Sequence, residues 1–153
     1  MNISREDLDA REFRRAGTVY PDASSILRVE MENGWDVPGW VTYIMVVDGE
    51  FKKAGKTGDG ESTLKGRMSS TFQALRQVIA GPPANRPPAR WRSRPLDPFK
   101  QNGPAAILAQ QQIELWAKRQ PTRERTISEE TELNEHYRGE WTKEGWTKDG
   151  RRR

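Results

Sequence analysis

The chain has 153 residues, 33% of them hydrophobic and 31% charged, with a formal net charge of +4. That length predicts one domain, and no apolar run approaches the ~18 residues of a membrane span. No cysteine and a single histidine, His136, exclude disulfide frameworks, thiolate metal sites, cysteine nucleophiles and histidine-rich metal centres.

Any chemistry must therefore come from tyrosine, lysine, arginine and carboxylates. The opening MNISREDLDA is too polar and acidic for a secretory signal, so a cytoplasmic protein is expected. Residues 1–37 hold five arginines against eight carboxylates, and predict an acidic extension, helical or irregular. A helix is expected near 5–15, with Ser4 as cap and Leu8 as its one good apolar residue; residues 24–32 fit helix and strand equally. From Trp40 to Val47 every residue but Met45 is β-branched or aromatic, and Asp48-Gly49 follows. That dipeptide between two such runs predicts a tight hairpin, because a type I′ turn needs positive φ at both central positions. The return strand is Glu50–Ala54, closed by Gly55.

Leu64, Met68, Phe72, Leu75 and Ile79 recur at helical spacing, which predicts a helix over 62–80 capped by Ser62 or Thr63 and stopped by Gly81-Pro82-Pro83. Six prolines then fall between Pro82 and Lys100, with Arg86, Arg90, Arg92, Arg94 and Lys100 against Asp97 alone. This stretch can be neither helix nor central strand, and 81–104 is expected to be a basic loop. Gln112–Ala117 alternates with period two and predicts a third strand, ended by Pro121. Thr126-Ile127-Ser128-Glu129 has the form of a capping box and predicts a helix to about Arg138. The tail repeats Trp-Thr-Lys-acid-Gly at 141–145 and 146–150 and ends in three arginines. The expected fold is α+β, a small three-stranded, largely antiparallel sheet flanked by helices. Its domain is expected over 38–146, with a basic tail at 147–153.

Gly55-Lys56-Thr57 suggests a phosphate-binding P-loop, but Gly49 and Gly55 are separated by five residues rather than four, and the motif follows a hairpin strand. That reading is rejected. On the last helix Ile127, Glu130, Leu133 and Tyr137 share one face, so Glu130 is aimed at the core, where a carboxylate is costly unless paired or cation-bound. The alternative is a rotated helix with Glu130 at its boundary as an ordinary ion-pair partner. Arg67 borders the apolar side of the first long helix, Tyr43 lies within a strand, and either Lys52 or Lys53 faces away from Phe51.

Together these residues resemble the GIY-YIG endonuclease superfamily. Val41-Thr42-Tyr43 stands in the place of GIY, and Lys53-Ala54-Gly55 in that of YIG, running into Lys56-Thr57. Leu64-Lys65-Gly66-Arg67 matches the helix motif with its arginine, and Glu130-x-x-Leu133 the motif around a metal-binding glutamate. The chain departs from the pattern at Val41, Lys53 and Thr71, and in a longer interval between Gly55 and Arg67.

The resemblance implies a metal-dependent DNA endonuclease with Tyr43, Lys53, Arg67 and Glu130 as catalytic residues. Glu130 would hold one Mg²⁺ or Mn²⁺, and Tyr43 would take a proton from the attacking water. Lys53 would favour the phenolate or hold that water, while Arg67 would bind the scissile phosphate. Lys56, Arg86, Arg90, Trp91, Arg92 and Arg94 would contact DNA, with affinity falling as salt rises. A restriction, phage or mobile-element role fits, and cutting both strands would need a homodimer or sequential binding. Two alternatives remain at this level: a nucleic-acid-binding protein on the same fold with a degraded site, and a small structural protein.

Overall fold

The computed structural model describes residues 1–21, 27–69, 112–139 and 141. The basic stretch with Arg86, Arg90, Trp91, Arg92 and Arg94, the expected helix beyond residue 69 and the repeat after residue 141 lie outside them.

Helix α1 (Arg5–Ala10) opens the chain. Ser4 caps it in a reciprocal capping box, its Oγ accepting from the Asp7 backbone N–H at 3.0 Å while the Asp7 carboxylate accepts from the Ser4 N–H at 3.0 Å. The Ser4 backbone N–H, and after it the Ser4 hydroxyl, hydrogen-bonded to the Asp7 carboxylate, hold that carboxyl below its ordinary value. The helix is shorter than expected, because from Arg14 the chain turns into strand.

Strands β1 (Arg14–Pro21) and β2 (Leu27–Met31) follow. Then come β3 (Val41–Val47), β4 (Glu50–Lys56), helix α2 from residue 64, strand β5 (Ile113–Arg119) and helix α3 (Arg123–Tyr137). The sheet order is β2-β1-β5-β3-β4 and every neighbouring pair is antiparallel. The sheet thus has five strands rather than three, and the first 37 residues supply two of them.

The β3–β4 hairpin forms as its sequence predicts, with φ of 52° at Asp48 and 76° at Gly49. All seven residues of β3 are buried, because the sheet is covered on both faces. Val41, Tyr43, Met45 and Val47 join a cluster with Leu64 and Met68 of α2, Leu115 and Trp141. Ile44 and Val46 pack on the other face with Leu8 of α1, Phe51, and Leu133 and Tyr137 of α3. Phe51 and Tyr137 stack with ring centroids 4.8 Å apart. Burial of Leu133 and Tyr137 against this face favours the docking of α3 by roughly 1.5–3 kcal/mol for each side chain.

Edge strand β4 is closed by segments remote in sequence. The Phe51 N–H donates to the Met1 carbonyl and the Ile3 N–H to the Gly49 carbonyl, each at 2.9 Å, and the Trp141 N–H donates to the Lys52 carbonyl at 3.1 Å. No described helix is long and apolar enough to cross a membrane.

Candidate active site

Tyr43 lies opposite Gly55 on β4 and Ala117 on β5, two residues too small to contest the space of its ring. The aromatic ring is laid over Gly55: a Cβ added there would stand 2.3 Å from both Cζ and Oη of Tyr43. Only glycine permits this approach, so the glycine that made the sequence look like a P-loop instead seats an aromatic residue.

Thr57, too, serves the fold. It is wholly buried, its Oγ1 accepting from the Val41 N–H at 3.0 Å and donating to the Gly39 carbonyl at 3.1 Å. The residue clasps the ends of β3 and β4 and cannot coordinate a nucleotide-bound metal. Thr57→Val should cost about 1–3 kcal/mol, because a buried N–H and carbonyl lose their partner. Denaturant unfolding measures it.

Helix α2 begins as predicted, with Thr63 as cap: its Oγ1 accepts from the Gly66 N–H at 2.9 Å. Leu64 and Met68 are buried against the Tyr43 face of the sheet, which turns the exposed Arg67 toward Tyr43. The two side chains are hydrogen-bonded.

Helix α3 begins four residues before the predicted capping box. Its cap is Thr122, whose Oγ1 accepts from the Arg125 N–H at 3.2 Å; Thr126 and Glu129 are buried inside the helix. The Glu129 carboxylate is drawn away from capping by tertiary partners. Its Oε1 accepts from Lys118 Nζ at 3.1 Å, and its Oε2 from Gln120 Nε2. Gln120 also donates to Thr42 Oγ1 at 3.2 Å. The helix is therefore rotated from the expected face: Ile127 is exposed, Glu129 is inside, and Glu130 is half-buried at the boundary. That boundary position still brings the Glu130 carboxylate under Tyr43's electrostatic influence. Burial is the largest cause that pushes the Tyr43 phenol above its ordinary value; the Arg67 charge and hydrogen bond draw it back, and the Glu130 charge raises it further.

The structure thus brings together Tyr43 from β3, Arg67 from α2 and Glu130 from α3. Lys53 joins their neighbourhood by way of a bulge. Met45 pairs with Lys53 and Val46 with Phe51, leaving Lys52 as the extra residue. Without that insertion residues 51 and 53 would share a face. With it, Phe51 packs under α3 while Lys53 takes the face of Met45, Tyr43 and Gly55. Lys56 pairs with Thr42, and so belongs to the opposite face from Tyr43.

Two features escaped the sequence. One is the Glu129–Lys118–Gln120–Thr42 network. The other is Asn134, a buried side chain whose Oδ1 accepts from the Ala54 N–H at 2.9 Å and whose Nδ2 donates to the Ala54 carbonyl at 3.1 Å. The signal available for both was polar residues at the inward spacing of a helix whose apolar stripe is thin.

A phenol hydrogen-bonded to a guanidinium, with a carboxylate within electrostatic reach, offers a proton acceptor, an anion-binding fork and a cation ligand, a set suited to chemistry on an anionic ester. No family model matches the chain, and no curated protein matches it. Among solved structures, a mutant of bacteriophage T4 EndoII superposes with a TM-score of 0.55 over 90% of this chain and 97% of that one, at 12% identity. A restriction endonuclease in complex with product DNA gives 0.49 over 91% and 84%, at 11% identity. The fold is therefore that of the phage protein over nearly its whole length.

Proposed function

We propose that the chain is a metal-dependent DNA endonuclease of the GIY-YIG type, hydrolysing phosphodiester bonds in a restriction, phage or mobile-element setting. The observation that carries this reading is that Tyr43 on β3 is hydrogen-bonded to Arg67 on α2 and feels the charge of Glu130 on α3. The phage endonuclease fold supports it.

Arg67, exposed and hydrogen-bonded to Tyr43, binds the scissile phosphate through its planar fork. Tyr43 accepts the proton of the attacking water, and Lys53 on the same face favours the phenolate or holds that water. Among the described residues no group of three or more His, Cys, Asp and Glu converges. A lone carboxylate nevertheless suits Mg²⁺ or Mn²⁺, which keep several waters and take substrate phosphate oxygens as further ligands. Glu130 would hold that ion, which supplies charge to stabilise the developing oxyanion. The basic residues at 86–94 give salt-sensitive affinity for backbone phosphates, and cutting both strands requires a second copy or a second encounter.

Purified protein should convert supercoiled plasmid to discrete products with Mg²⁺ or Mn²⁺ and not with EDTA. A phenol is protonated at neutral pH and burial raises that of Tyr43 further, so the phenolate fraction grows about tenfold per pH unit below its pKa. The cleavage rate should accordingly climb from pH 6 to 9. Tyr43→Phe should lose that climb and about 10²–10⁴-fold in rate. Undiminished cleavage by Tyr43→Phe would remove Tyr43 from the chemistry. Salt-sensitive DNA binding with no cleavage under any divalent ion would instead assign the chain to the binding proteins.

A further inference from the structure

Asn134 stands one helical turn beyond Glu130 and is 7% exposed. Its planar amide grips a single residue of the edge strand, accepting from the Ala54 N–H at 2.9 Å and donating to the Ala54 carbonyl at 3.1 Å, much as another strand would. Ala54 is followed by Gly55, on which the ring of Tyr43 lies. The contacts thus close a loop: Glu130 and Asn134 share one turn of α3, Asn134 holds Ala54, and Gly55 seats the phenol that Glu130 must approach.

We propose that Asn134 is a positioning residue that fixes the approach of Glu130 to Tyr43, and with it the cation affinity of Glu130. The proposal rests on Tyr43, Arg67 and Glu130 being the catalytic group. Leu133 and Tyr137 bury α3 against the sheet, but apolar contact is non-directional and tolerates sliding and rotation. Two hydrogen bonds through one rigid plane fix both. Glu129 anchors the preceding residue to β5 through Lys118, at 3.1 Å, so Glu130 sits between two polar tethers that lead to different strands. A side chain that merely satisfied a strand edge would matter for stability alone. One that sets a metal-binding carboxylate acts on ion affinity: partners bonded directly to a ligand are worth about 10–100-fold, and Asn134, acting through the helix, is expected at the lower end of that range.

The test uses the full-length chain saturated with a short DNA duplex. Mn²⁺ uptake is read from the loss of the free-ion electron paramagnetic signal, corrected for duplex alone, beside plasmid cleavage over a Mn²⁺ titration. Asn134→Leu keeps the shape and loses both hydrogen bonds. Its Mn²⁺ midpoint should rise at least about ten-fold in both readouts, with DNA binding in EDTA unchanged. Val19→Ala, a core truncation on β1, serves as the control for lost stability, and its midpoint should stay within two-fold of the parent. If Asn134→Leu fails to melt cooperatively, Asn134→Thr carries the same comparison. A folded Asn134 variant with a midpoint within two-fold of the parent, or an equal rise in Val19→Ala, overturns the proposal. Glu130→Ala separates the two levels. If it takes up Mn²⁺ and cleaves as the parent does, the catalytic reading has failed; if it loses both while Asn134→Leu keeps them, only the positioning role has.

Discussion

Glu130→Gln should bind a DNA duplex as the parent chain does and cut it about a thousand-fold more slowly. The substitution keeps the length and packing of the side chain at the boundary of α3 and removes only its charge. Glutamine is a far poorer ligand for Mg²⁺ or Mn²⁺ than a carboxylate, and a bound cation contributes several kcal/mol to stabilising the charge of a phosphoryl transition state. A loss of ~4 kcal/mol corresponds to about a thousand-fold in rate. Single-turnover cleavage of supercoiled plasmid measures the rate, and gel retardation in EDTA measures binding. A rate within ten-fold of the parent would show that Glu130 holds no essential cation. Loss of binding together with cleavage would point to a damaged fold.

The second large effect belongs to Gly55. In Gly55→Ala the new methyl would stand 2.3 Å from two atoms of the Tyr43 ring, so either the ring or the strand must move. The strand is poorly placed to yield. Asn134 grips Ala54 on one side of Gly55, and Thr57 is bonded to Gly39 and Val41 on the other. Overpacking of this kind costs typically about 1–3 kcal/mol, and the upper end is expected here. Displacing the phenol should also lower cleavage at least about a hundred-fold in protein that remains folded, the size of effect known from a small misplacement of reacting groups. Denaturant melts and plasmid assays report the two losses. The cause can be isolated in a double mutant: with Tyr43→Ala in place, adding Gly55→Ala should cost little further stability, a non-additivity diagnostic of direct contact. Full additivity would mean that the clash is not the reason.

Local chemistry made several parts of the fold legible. Asp48-Gly49 announced its hairpin because positive φ at two successive residues is a demand that few dipeptides meet. Ser4 and Thr63 announced helix starts for similarly local reasons. Tyr43, Arg67 and Glu130 could be selected because a resemblance tied them together, although each alone fitted an ordinary structural role. Contacts between remote residues remained hidden. Strands β1 and β2 are charged, and β1 is placed inside the sheet rather than at its edge by pairing with β5, about a hundred residues away, as well as with β2. Thr126 and Glu129 carried a convincing capping signature, yet Lys118 and Gln120 claim that carboxylate and Thr122 caps instead. The bulge at Lys52, which decides that Lys53 and Phe51 face opposite ways, has no local signal in a run of Phe-Lys-Lys-Ala.

The sheet order also governs when the protein can exist as a finished object during synthesis. Hairpins β1–β2 and β3–β4 are each contiguous in sequence, but no described ladder joins one to the other directly: β5 lies between them and pairs with β1 on one side and β3 on the other. A ribosome adding about 5–20 residues per second needs roughly 3–11 s to travel from the end of β4 to the start of β5. Throughout that interval the strand that pairs with both hairpins and the helix bearing Glu130 have yet to be made. Non-local pairing of this order is also slow in itself. If the proposed activity holds, the chain would thus remain harmless on the ribosome until β5 and α3 have both been made.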